Sequence, residues 1–197
     1  MEYKSAKILS HGLNHTAEPD KRYLSGSVLS YCNEGEMEEK KKLLFVCLGN
    51  ICRSPAAQAV MQRIVDADSG LRFVELDSAG TYGGHSGDLP DPRMRMHASR
   101  RGYELTHRSR QIKSSDFERF DMILAMDDRN YDDLHALAPD PESVRKIYRM
   151  TDFCQRLAVD HIPDPYYGGS SGFEQVLDIL EDACAGLADF LKKKYRR

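Results

Sequence analysis

The sequence predicts an α/β protein. It is expected to be a three-layer α/β/α arrangement, with helices on both faces of a central four-stranded parallel sheet. Two observations predict this. From Leu43 onward, apolar runs of strand length alternate with segments of helical pattern, the signature of a parallel sheet covered on both sides. The chain then closes on a long amphipathic repeat, with Phe173, Val176, Leu177, Leu180, Cys184, Leu187 and Leu191 at helical spacing.

The elements follow in order. "LLFVC" is a short, wholly apolar run that suits a strand buried on both faces. "SPAAQAVMQRIVDA" predicts a helix, with Ser54 as N-cap and Pro55 at the first helical position. "RFVELDSAG" predicts a second strand ending in a glycine turn, and "DPRMRMHASRRG" a helix closed by Gly102. "FDMILAM" has the length and composition of a third strand. "DDRNYDDLHALAP" predicts a helix entered through acidic residues, which suit its N-terminus, and "VRKIYRM" a last strand. The basic "KKKYRR" complements the C-terminal end of the final helix.

Residues 1–40 differ from the rest. They are polar, lack sustained periodicity and end in the charge run "NEGEMEEKKK", a composition that predicts a disordered N-terminal extension. Met37 is a second candidate start, and the compact domain is expected over 41–197. A chain of 197 residues with 41% hydrophobic and 30% charged residues is ordinary globular material. The net charge of −3 gives no global signal for nucleic acid or a membrane surface. No apolar run approaches the ~20 residues that span a bilayer, and no signal-peptide pattern opens the chain. An odd count of five cysteines favours reduced thiols in a cytoplasmic setting over a disulfide framework.

Chemistry concentrates in "CLGNICRS". Residue types alone leave three readings of Cys47 and Cys52: a metal knuckle, a disulfide staple, or a nucleophile in a phosphate cradle. A zinc site needs about four ligands, and these two cysteines have no clear second pair, so no metal is expected. The cradle reading accounts for more of the string. A strand delivers Cys47 to the carboxyl end of the sheet, where ligands of such folds bind. Gly49 and Asn50 tolerate the left-handed backbone of a tight loop, whose successive N–H groups can form an anion nest. The helix that follows adds its positive end, and Arg53 a planar fork for two phosphate oxygens. A nucleophile, a cradle and a charge clamp are three needs of phosphoryl transfer. The fourth, a proton donor for the leaving group, has a candidate in Asp164 of "HIPDPYYGG", on a loop stiffened by prolines on both sides.

The string CxGNxCRS followed by a proline-led helix, together with "DPYY", resembles the low-molecular-weight protein tyrosine phosphatases, from about Leu43 to the C-terminal helix. The resemblance implies a phosphotyrosine phosphatase with no cofactor. Cys47 would be the nucleophile that forms a cysteinyl-phosphate. Arg53 would bind the phosphate and stabilise the transition state, and Asp164 would be the general acid and then the base. Leu48, Gly49, Asn50, Ile51, Cys52 and Ser54 would complete the phosphate-binding loop, with Ser54 bonded to the sulfur. Ser78 and His107 would brace that loop through Asn50 and Ser54. Tyr166 would line the substrate slot with Tyr167 nearby, although both could be packing aromatics. Cys52 is either a small apolar loop residue or, as the family implies, a redox guard that pairs reversibly with Cys47. The expected partners are a phosphotyrosine protein, with a tyrosine kinase among the candidates, and inorganic phosphate as product. The expected state is a monomer.

Two positions bear on substrate. The family usually carries an aromatic just before the residue matching His85, but here that position is Gly84. Either Tyr82 leans in to replace it or the slot is more open. Ile51 stands where relatives resembling protein-arginine phosphatases carry Thr, and its bulk favours a flat aromatic phosphoester over a guanidinium. The alternatives on the same fold are a protein-arginine phosphatase and a thioredoxin-coupled arsenate reductase. The latter would need relay cysteines after mid-chain, and residues 77–150 contain none.

Overall fold

A computed structural model of the chain describes residues 39–195. The polar extension and the candidate start at Met37 lie outside the described residues, apart from positions 39 and 40. Four strands, β1 (Lys41–Cys47), β2 (Val74–Gly80), β3 (Met122–Ala125) and β4 (Ile147–Arg149), form one parallel sheet in the order β2-β1-β3-β4. Among the described residues six α-helices accompany it: α1 (Arg53–Ala67), α2 (Pro92–Arg100), α3 (Asp116–Arg119), α4 (Asp128–Leu137), α5 (Pro141–Val144) and α6 (Ser170–Tyr195). The four-residue α3 and α5 were not expected from the sequence, because so short a segment cannot display a helical period.

The alternation of side chains along β1 builds two cores at once. Leu43, Phe45 and Cys47 point into a large cluster with residues of α1 and α6, including Ala56, Met61, Leu177, Leu180 and Leu187. Leu44 and Val46 point the other way, against Phe117, Phe120, Ile123 and Leu134. Burial on both faces explains why "LLFVC" carries no polar residue.

The carboxyl end of β1 is where the chain turns into the candidate site. Asn50 has a φ of 54°, a left-handed conformation that Asn tolerates through local hydrogen bonding. Gly80, at the end of β2, lets the neighbouring strand press against that loop. A Cβ there would lie 2.6 Å from the Leu48 carbonyl oxygen and 3.0 Å from the Asn50 nitrogen. The loop's shape therefore depends on a residue 30 positions downstream that has no side chain.

Candidate active site

Cys47, Leu48, Gly49, Ile51, Cys52, Arg53, Tyr82, His85, Asp164, Tyr166 and Tyr167 surround one cavity of about 200 Å³. Helix α1 begins at Arg53, two residues earlier than expected, and Ser54 does not cap it. The serine hydroxyl is committed elsewhere. It lies 3.1 Å from the Cys47 sulfur and accepts a bond from Asn50 Nδ2 at 2.9 Å. Its single proton can go to that sulfur or to the Ala79 carbonyl, 3.2 Å away. Among the described residues, the backbone N–H groups of residues 49–53 donate no hydrogen bond within the protein. Helix N-termini leave such donors unspent, and here they adjoin the sulfur of Cys47.

Arg53 is 2% exposed, yet it carries a full charge into the interior. Burial works against that charge, but Cys47, Asp164 and Asp127 together outweigh it and hold the guanidinium protonated. Nη1 donates to the Asp127 carboxylate and to the Ile162 carbonyl (3.2 Å), and Nη2 donates to Asp164 at 2.8 Å. Asp127 was read from the sequence only as a helix entry. It does cap α4, accepting from the Asn130 N–H at 2.7 Å, and it spends its other oxygen on Arg53. The capping role explained the residue completely at sequence level, which hid the second role.

The loop is braced from three sides. Ser78 Oγ accepts from Asn50 Nδ2 at 3.0 Å and donates to Gln58 at 2.7 Å. Ser109 Oγ donates to the Gly49 carbonyl (3.0 Å), and the Arg110 N–H donates to Asn50 Oδ1 (2.9 Å). The Asp91 N–H holds the Ile51 carbonyl at 2.8 Å. Ser78 stands where it was expected. His107 does not bond Asn50 or Ser54. Its Nδ1 lies 3.7 Å from Asp77, and its buried Nε2 has no partner. Burial lowers its pKa, against the pull of Asp77 and with help from Arg110. The brace from that segment comes two and three residues later, because Ser109 and Arg110 are the ones that run alongside the loop. Arg110 is itself fixed by Asp77 and Asp116.

Asp164 accepts from the Tyr166 N–H at 3.1 Å, a turn that sets the loop carrying it. Arg93, on α2, reaches over to that loop. It donates to the Tyr166 carbonyl at 3.1 Å, and its guanidinium lies 5.4 Å from the Tyr166 ring centre and 5.0 Å from that of Phe173. Tyr167 packs edge-on to Tyr166 at 5.0 Å and is 94% exposed. Cys47, Cys52, Cys154 and Cys184 are all free thiols. Burial, followed by the charges of Asp91, Cys47 and Asp164, pushes the Cys52 thiol well above its ordinary pKa. Among the described residues no group has the makings of a metal site, and no helix of that part is long and apolar enough to cross a membrane. A larger groove of about 410 Å³ lies between α1 and residues 102–107, and its lining contains no cysteine.

The comparisons with known proteins agree with this geometry. A family model described as low molecular weight phosphotyrosine protein phosphatase matches residues 42–197. A putative low molecular weight protein-tyrosine-phosphatase of Synechocystis is 48% identical over 154 residues, 78% of this chain and 98% of the relative. A crystal structure of a protein tyrosine phosphatase from Entamoeba histolytica superposes with a TM-score of 0.76 at 48% identity, covering 78% of this chain and 98% of that one. A Drosophila arginine phosphatase has a TM-score of 0.72 at 31% identity, covering 78% and 99%. With a buried arginine, a strand-end cysteine and an aspartate converging on one cavity in a matching sheet, the chain belongs to the low molecular weight phosphotyrosine protein phosphatase family, whose members are phosphoric monoester hydrolases.

Proposed function

We propose that the protein hydrolyses phosphotyrosine monoesters through a cysteinyl-phosphate. The observation that carries this reading is the bridge formed by Arg53. It sits in the loop that begins at Cys47 and bonds Asp164, 111 residues away, at 2.8 Å, so nucleophile, phosphate clamp and proton donor share one small cavity. In the first step the Cys47 sulfur attacks phosphorus as the bond to the phenolic oxygen breaks, and Asp164 gives its proton to that oxygen. In the second step Asp164 takes a proton from water as the water oxygen attacks phosphorus. The S–P bond breaks and inorganic phosphate leaves. Residues 48–54 cradle the three transferred oxygens with N–H groups and the Arg53 fork. Ser54 donates to the sulfur when it becomes the leaving group.

Tyr166, pinned by Arg93, lines the slot for the substrate ring, and Tyr167 projects beyond it toward the protein substrate. Cys52, a protonated thiol beside the nucleophile, is available to trap an oxidised Cys47 as a disulfide. The test is hydrolysis of an aryl phosphate by the parent protein, Cys47→Ser and Asp164→Ala. The parent turns over, the serine variant is inactive, and the alanine variant loses about 10²- to 10⁴-fold. An inert parent, or a fully active Cys47→Ser, defeats the proposal. The likeness to an arginine phosphatase makes a phosphoarginine peptide the necessary parallel substrate. Preference for it over the phosphotyrosine peptide would replace the tyrosine reading, and Ile51→Thr tests whether Ile51 sets the choice.

A further inference from the structure

Building on the phosphatase reading, we infer that Tyr82 forms an aromatic wall of the substrate slot, and that position 84 is glycine so that Tyr82 can lie there. The backbone before the ring is tied to the nucleophile's own segment. The Thr81 N–H donates to the Cys47 carbonyl and the Tyr82 N–H to the Leu48 carbonyl, both at 2.9 Å. Gln111 holds the Thr81 carbonyl at 3.1 Å. Residue 82 is therefore fixed relative to the sulfur. Its ring folds back over Gly84. A Cβ at that position would fall 2.2 to 2.3 Å from Cε1, Cζ and Oη of Tyr82, so the tyrosine fills the space that any other residue at 84 would claim.

His85 completes the wall. Its ring meets Tyr82 edge-on, with centres 6.3 Å apart and planes at 81°. Asp88 holds its Nδ1 at 3.2 Å, and its Cδ2 lies 3.1 Å from where a Cβ on Gly49 would be. Tyr82, His85 and the phosphate loop are thus continuous in contact, and all line the cavity that Tyr166 and Tyr167 also line. Tyr82 is 58% exposed, and its ring presents a flat apolar surface at the mouth of the site. A ligand with a planar ring one bond from its phosphorus-bearing group would cover that face. An anion without a ring would not reach it. The wall therefore selects aryl phosphoesters, and it acts on ring recognition rather than on the phosphate.

The test uses two non-hydrolysed ligands, benzylphosphonate and inorganic phosphate, titrated by calorimetry into the parent, Tyr82→Phe, Tyr82→Ala and Gly84→Ala. The atoms that a new Cβ would strike belong to the free end of an exposed side chain, so Gly84→Ala folds normally and displaces the ring. Melting temperature checks this. Tyr82→Ala and Gly84→Ala each weaken benzylphosphonate about 2- to 10-fold while phosphate binds as to the parent, and Tyr82→Phe retains parental affinity for both. An unchanged benzylphosphonate-to-phosphate ratio in Tyr82→Ala overturns the wall. A loss in Tyr82→Ala without one in Gly84→Ala overturns the role of the glycine. A folded parent that binds neither ligand defeats the phosphatase reading itself, a result separate from either of these.

Discussion

Two loops of this molecule gather backbone amides beside an arginine, and they differ in what those amides meet. Residues 155–157 direct three N–H groups at Asp182 Oδ2, at 3.2, 3.0 and 2.9 Å, and Arg156 Nε bonds Oδ1 at 3.0 Å. That carboxylate is part of α6 and is 1% exposed. Burial disfavours its charge, but the amides of Arg156, Leu157 and Gln155 and the Arg156 side chain overcome the penalty and bring its pKa down to about 2. The loop of residues 48–53 has a similar supply of N–H groups and a buried cation, with a thiol at its head and no carboxylate within it. One loop is closed by the protein's own side chain and serves to lock a segment in place. The other leaves its N–H groups without a partner in the protein, and under the proposed function they are kept for a phosphate that arrives and leaves. The same backbone chemistry gives stability in the first case and, under the proposed function, turnover in the second.

The contrast is broken most directly at the cation. Arg53→Lys keeps a positive charge but cannot fork between Asp127, Asp164 and a phosphate. Its kcat/KM on an aryl phosphate falls about 10²- to 10³-fold with the fold intact by circular dichroism. A loss smaller than tenfold would show that a point charge suffices and that the fork is not what organises the site. At the closed loop the large effect is on stability. Asp182→Ala strands three amides and lowers the free energy of unfolding by about 2–4 kcal/mol, read from urea midpoints, while phosphate still binds. The pH dependence follows from the direction of the shift. A carboxyl held below its unfolded value of roughly 4 stabilises the fold above that pH. Its contribution drains away as pH falls through about 2. The parent therefore loses stability over this acid range, and Asp182→Asn shows a flatter slope. Equal slopes would remove the carboxylate from the account.

The smallest effect sharpens the comparison. Ser109→Ala removes one neutral hydrogen bond to the Gly49 carbonyl, costs about 1 kcal/mol, and raises the KM for an aryl phosphate modestly. A shift as large as that of Asp182→Ala would mean that the open loop is as strained as the closed one is anchored.

The legible parts of this molecule were those written in contiguous residues. "LLFVC" announces a strand buried on both faces, and "CLGNICRS" and "DPYY" nominate residues that do share a cavity. The parts that stayed hidden join distant residues whose local role looked complete. Asp127 read as part of a helix entry, and Asp182, inside the long final helix, drew no reading at all. Ser109 and Arg110 were passed over for His107, because a histidine draws attention that a serine and a backbone N–H do not. Ser54 was expected both to cap α1 and to bond the Cys47 sulfur, and the fold keeps only the bond to the sulfur.

The clamp on Arg53 joins residues separated by 74 and 111 positions, which gives the chain a temporal order as well as a spatial one. Contacts of such separation form late, after the loops between them have been closed. Until β3 is paired and the segment beyond β4 has docked, Cys47 is an ordinary cysteine on an apolar strand, beside an arginine with nothing to aim at. The site is thus built by long-range closure and not by its contiguous string alone.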